Sequence, residues 1–178
     1  PDEAQVYYYV RHPKRTMVAN LFERVALAAK GAAMGTGTEV SYEVMHGNYP
    51  LMPNETIQRI MHEKLSDRGG ITYSSAENEF ANEIFKTFLS PSAQLGDQRD
   101  ILPYETTHGY GSTDVGDISW LVPTGGARIA SWVPGTPAHS WQAVASGGTT
   151  IGLKGTKLAV QVLSETAKEI YLNPSIVK

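Results

Sequence analysis

The sequence predicts an α/β protein, made of an α+β opening unit followed by part of a helix-rich α/β domain. Three observations predict it. Two runs rich in aromatic and β-branched residues, QVYYYV (5–10) and EVSYEVM (39–45), flank a stretch with helical periodicity. A Gly- and Pro-bearing linker, HGNYPLMP (46–53), then separates this unit from a long segment of amphipathic helical patterns. Within that segment RIASWV (128–133) reads as a short interior strand.

The elements follow in order. After the first predicted strand, Pro13 sits near a helix N1 position. Met17, Leu21, Val25 and Ala28 recur at three-to-four spacing, which predicts a helix over 14–30 closed by the run GAAMGTGT. The second strand completes strand–helix–strand, so residues 1–50 form one domain and 51–178 the next. Asn54 is placed to cap a helix whose stripe is Ile57, Ile60, Met61 and Leu65, stopped by Gly69 and Gly70. SSAE offers Ser74 and Glu77 as a capping box for a helix buried through Phe80, Ala81, Ile84, Phe85 and Phe88. Residues 90–107 read as loop. A short helix is predicted over 114–121, and a long one over 150–173 burying Leu158, Val162, Leu163, Ala167 and Ile170.

Composition bounds the function. The 178 residues carry a net charge of −3, so no basic surplus argues for nucleic acid. No apolar run approaches the roughly 18–20 residues of a membrane helix, and nothing at the start resembles a signal peptide. The absence of cysteine excludes disulfides and thiolate metal sites and fits a cytoplasmic location; any metal must be held by His, Asp or Glu. The chain opens at Pro1, already within a strand-like run, which leads us to expect further sequence upstream.

Candidate site residues are few. His139, in the Pro- and Gly-rich loop WVPGTPAHSW, stands where a metal-binding imidazole can project, although no HExxH or HxD pair accompanies it. On spacing alone an ordinary surface histidine is the commoner reading. Gly109, Gly111, Ser112 and Thr113 form a turn able to receive an anion, and the chain lacks the GK[ST] of a P-loop. Asp114 and Asp117 suit a helix N-terminus; acid–base chemistry is the alternative. Arg11 ends the first predicted strand and suits a carboxylate clamp, or a solvated basic edge.

Together the stretches PDEAQVYYYVRHP, GSTDVGDISWLVPT and WVPGTPAHSWQAVA resemble, in that order, the di-zinc aminoacylase and carboxypeptidase family of amidohydrolases. The branch nearest in appearance is the aminobenzoyl-glutamate hydrolases. The resemblance covers the whole chain but only the C-terminal part of the family's length. It implies a di-zinc α/β catalytic domain interrupted by a lid that forms a homodimer. Residues 1–50 would be the second half of the lid and 51–178 the returning C-terminal segment of the catalytic domain.

By the same resemblance His139 matches the last metal ligand. Arg11 matches the arginine that binds the substrate carboxylate. Gly111, Ser112, Thr113 and Asp114 match the turn lining the substrate pocket, with Thr113 where relatives often carry Glu. The other ligands of two divalent ions, zinc or manganese, and the general-base glutamate would lie upstream. The implied activity is metal-dependent hydrolysis of an aminobenzoyl-glutamate-like amide to a carboxylate-bearing amino acid. This chain alone is then expected to hold no metal stably and to lack activity. Two alternatives are a non-catalytic module that dimerises through lid strands or complements a separate N-terminal chain, and a carboxylate-binding domain using Arg11 and the glycine turn.

Overall fold

The computed structural model describes residues 2–107, 109 and 113–177, and every regular element among them is a helix. The helices are α1 (Arg15–Thr36), α2 (Glu55–Arg68), α3 (Ser75–Phe85), α4 (Val115–Ser119), α5 (Trp141–Gly147) and α6 (Thr150–Leu172), with single 3-10 turns at Asp97–Arg99 and Pro174–Val177. This overturns the α/β expectation. The runs 5–10, 39–45 and 128–133 contain no strand.

The reason lies in what a strand needs. Its backbone groups require a laddered neighbour, and its apolar side chains require a face to cover them; β-propensity spans only about 1 kcal/mol and replaces neither. Val6, Tyr7, Tyr8 and Tyr9 are each about 70% exposed, and Val40, Tyr42 and Val44 are exposed as well. The one helix between these runs, α1, buries no residue fully. The third run does alternate inward at Ile129, Ser131 and Val133, the last only 1% exposed, but it lies against a helix and not against another strand.

The chain divides into two units, residues 1–53 with 106–124, and residues 54–105 with 125–178. In the first, α1 runs six residues past the predicted stop. Gly31 and Gly35 are tolerated within it because Ala and Met around them favour helix, and the end comes at Gly37, whose left-handed φ of 64° suits only glycine well. Phe22 meets Tyr42 edge-on at 5.7 Å.

The second unit holds the apolar core. Ile57, Met61, Ile71, Tyr73, Ala81, Ile84, Val133, Ile151, Leu158 and Val162 form one buried cluster. Its helices begin and end as their sequences dictate. The Asn54 side chain accepts from the Ile57 N–H at 3.0 Å, Ser74 and Glu77 complete a reciprocal capping box, and Gly69 closes α2 at a φ of 74°. α2 packs on α6 and is tied to it by Lys64–Glu169 at 3.2 Å and by Arg68–Glu165.

α6 corrects the predicted stripe. Its buried residues are Ile151, Gly152, Gly155, Leu158, Val162 and Thr166, whereas Leu163 is 51% exposed and Ala167 lies outside. The buried line is built partly from small residues because backbone comes close there. A Cβ on Gly155 would stand 2.8 Å from Ala130 O and Ser131 Cα. Thr166 is compatible with burial because its hydroxyl donates back to Val162 O at 2.8 Å.

Candidate functional site

The predicted site residues fall in different units. Arg11, Thr113 and Asp114 belong to the first and His139 to the second, while Gly111 and Ser112 lie outside the described residues. Arg11 is exposed, with its guanidinium 5.1 Å from the centre of the Tyr9 ring. It sits at the end of an unladdered run and not at the end of a strand.

Thr113 and Asp114 open α4. The Thr113 hydroxyl accepts from the Val115 N–H at 3.3 Å, and the Thr113 carbonyl accepts from the Gly116 N–H. Asp114 stands at the N-cap of α4 and Asp117 in its first turn, and the Asp114 side chain makes no capping bond. Asp117 has a different task. Its Oδ1 accepts the Tyr49 N–H at 2.7 Å, 68 residues back in the chain.

That bond is one of a set that sequence reasoning missed. Ser119 Oγ accepts the Met52 N–H at 2.8 Å and donates to Gly116 O. Trp120 Nε1 donates to Pro50 O at 2.9 Å, and its ring lies 5.4 Å from that of Tyr49. Arg15 covers the Tyr49 ring at 4.2 Å and donates to its hydroxyl at 2.6 Å. Gly116 lies so close beneath that a Cβ would fall 2.0 Å from Tyr49 O. The linker 46–53 is therefore stitched to the short helix that follows the glycine turn. A carboxylate accepting a backbone N–H is among the stronger hydrogen bonds. The only hint in the sequence was the density of polar and aromatic residues in DISW.

His139 lies in a turn between Val133, which is buried, and Ser140, which caps α5 by accepting the Ala143 N–H at 3.2 Å. Both flanks are thus fixed. His139 itself is exposed and has a φ of 59°, the one positive φ at a non-glycine residue among the described residues. Such conformations cost of order 1–3 kcal/mol and persist where the surroundings impose them, often at functional sites. Among the described residues no group of three or more His, Cys, Asp or Glu side chains is placed to hold a metal ion. One imidazole falls short of the three or four protein ligands a zinc site uses, so these residues by themselves do not fit a metal centre.

The strongest electrostatic feature of the second unit is Glu77, which is 7% exposed. The Lys154 ammonium, then the Thr150 hydroxyl at 2.6 Å and the Ser74 N–H at 2.7 Å, hold its carboxyl down at about 2. Lys154 also donates to Thr72 O at 2.9 Å. The network joins α3 to α6. The Ser74–Glu77 half of it was legible as a capping box; the Lys154–Thr150 half was not. No described helix is long and apolar enough to cross a membrane.

Comparison with known proteins finds two relatives by sequence. No protein-family model matches the chain, and neither does any solved structure. One of the subunits of the p-aminobenzoyl-glutamate hydrolase of Escherichia coli K12 is 30% identical to it over 99% of this chain and 42% of that protein. The Xaa-Arg dipeptidase of Mus musculus is 24% identical over 100% of this chain and 35% of that protein. The chain thus spans less than half the length of either relative. Across essentially its whole extent the chain is similar to that p-aminobenzoyl-glutamate hydrolase component and, at lower identity, to the dipeptidase.

Proposed function

We propose that this chain is part of a metal-dependent amidohydrolase that cleaves an aminobenzoyl-glutamate-like amide and releases a carboxylate-bearing amino acid. The observation that carries the reading is the 30% identity to the p-aminobenzoyl-glutamate hydrolase component in an alignment that covers 99% of the chain. In this reading Arg11 grips the substrate's free carboxylate, and a bidentate guanidinium–carboxylate pair fixes the amide in position. Gly111, Ser112, Thr113 and Asp114 line the pocket. His139 contributes one imidazole toward two divalent ions, zinc or manganese, whose other ligands come from residues that this chain does not supply. Support for that role is the left-handed backbone of His139 between two anchored flanks.

The enzyme so proposed works in the cytoplasm as a homodimer that pairs through residues 1–50. The exposed Val6–Tyr9 run supports this, because it is the apolar and aromatic surface such pairing would cover. The same exposure favours the alternative that the chain serves as a non-catalytic partner module.

One experiment separates the two. Hydrolysis of p-aminobenzoyl-glutamate is followed with the full natural protein, with Arg11→Ala and with His139→Ala. Arg11→Ala should raise KM about tenfold or more with little change in bound metal; His139→Ala should lower bound metal and kcat together. Absence of hydrolysis in the parent under zinc and manganese would overturn the hydrolase reading and leave the non-catalytic alternatives.

A further inference from the structure

We propose that the second unit carries an anion site for a small phosphate or phosphate monoester, between the end of α2 and the middle of α6. A cavity of about 310 Å³ lies there, lined by Arg68, Gly70, Thr72, Lys154, Lys157 and Gln161 over a floor of Ile71 and Leu158. Its size is at the small end of ligand pockets and suits an oxyanion with a few further atoms.

Three cations line the cavity and no acid does. Two acids outside the lining, Glu165 and Glu77, pair with two of the cations. Glu165 takes Nε and Nη2 of Arg68, which leaves Nη1 unengaged. Glu77 and Thr72 O fix the Lys154 ammonium, with one of its three protons to spare. Lys157 has no ion-pair partner among the described residues. Set against these two paired acids, the three lining cations leave one positive charge. The partial negative charge at the C-terminal end of α2, about half an elementary charge at most, does not cancel it. The N–H groups of Gly70 and Thr72 also find no acceptor among the described residues. Preset cations, spare backbone donors and an apolar floor are what a phosphoryl group requires. The site takes no part in the hydrolase reading and stands without it.

The test is titration of the full chain with inorganic phosphate and with glycerol 3-phosphate, by calorimetry at ionic strength held constant with chloride. Saturable binding near 1 mM is expected for one such cluster. Lys157→Gln should weaken it about tenfold and Lys157→Glu should abolish it. Lys157 is exposed, so neither change threatens the core. Lys168→Glu alters the same charge on the same helix, away from the cavity, and should leave binding intact. Tighter binding of glycerol 3-phosphate than of phosphate would identify a monoester as the ligand, and equal binding the free ion. No saturable heat above the chloride background, or equal losses in Lys157→Glu and Lys168→Glu, would overturn the proposal.

Discussion

Replacing Gly155 by alanine sets two effects against each other. Alanine is better than glycine inside a helix by about 1 kcal/mol, so the change alone should stabilise α6. The added Cβ, however, would lie 2.8 Å from each of Ala130 O, Ser131 Cα and Ser131 Cβ. Carbon atoms rest at about 3.5–4.0 Å, so α6 and the 129–133 segment would have to part by most of an ångström. Two of the three obstructing atoms are backbone and cannot rotate away. Overpacking of this kind costs about 1–3 kcal/mol, and a rigid triple overlap belongs in the upper half of that range. The expected net result is a loss of about 1–2 kcal/mol. Gly31 supplies the control. It too is a mid-helix glycine, in α1, but a Cβ there meets nothing within 4 Å. Gly31→Ala should therefore stabilise its helix by about 0.5–1 kcal/mol. Native-state hydrogen exchange of α6 and α1 amides, read helix by helix, measures both. If Gly155→Ala protects α6 amides as well as the parent does, the close approach of the 130–131 backbone to α6 is wrong.

Four further outcomes rest on the same packing. The Glu77 carboxyl is depressed from 4.5 to about 2 in the folded chain, so its contribution is fully present above about pH 4.5 and fades as pH falls toward 2; Glu77→Gln should flatten that acid limb of a melting-temperature profile, and an unchanged limb would refute the Lys154 pairing. Burial first, then the Glu77 charge, raises the Tyr73 phenol from 10.0 to about 12, so stability should also fall as pH climbs from 10 through 12, an effect Tyr73→Phe removes. The Ser146 hydroxyl is fully buried with no partner among the described residues, so Ser146→Ala should be neutral or stabilising by up to about 1–3 kcal/mol in urea unfolding, whereas a loss would mean that the hydroxyl has a partner. Asp117→Ala removes the acceptor for the exposed Tyr49 N–H and should cost about 0.5–1.5 kcal/mol in the first unit, seen as faster hydrogen exchange of the Tyr49 and Met52 amides than in the parent, and unchanged exchange would refute the clamp.

What could be read in advance was local. Asn54, Ser74 and Gly69 act within one turn of their own positions, and the α2 and α3 stripes need only helical periodicity. What could not be read depended on distant partners. A run such as QVYYYV carries strand propensity whether or not a ladder exists, so the sequence overstated the sheet. The inner face of α6 was misjudged at Leu163 because hydrophobic periodicity has no means to favour Gly152 and Gly155, whose value is that backbone comes close to them. The clamp around Asp117 joins residues 68 positions apart, and no pattern within DISW names Tyr49. The candidate site was legible as motif stretches. Its backbone signature at His139 was not, because residue type alone does not fix a positive φ.

The division of the chain into interleaved units bears on the order in which it can fold during synthesis. The first unit is assembled from 1–53 and 106–124, and among the described residues its buried ones, Gly116 and Ser119, both lie in the later piece. The early piece carries a 22-residue helix with no buried residue, and the bonds that Tyr49, Pro50 and Met52 make to Asp117, Trp120 and Ser119 can form only once α4 appears. The second unit waits in the same way: α2 and α3 precede the 106–124 segment, and α6, which supplies Ile151, Leu158 and Val162, follows it. Neither unit can mature before the other has begun. A pause in translation between residues 105 and 125 would therefore hold both half-built, with their apolar surfaces open to chaperones.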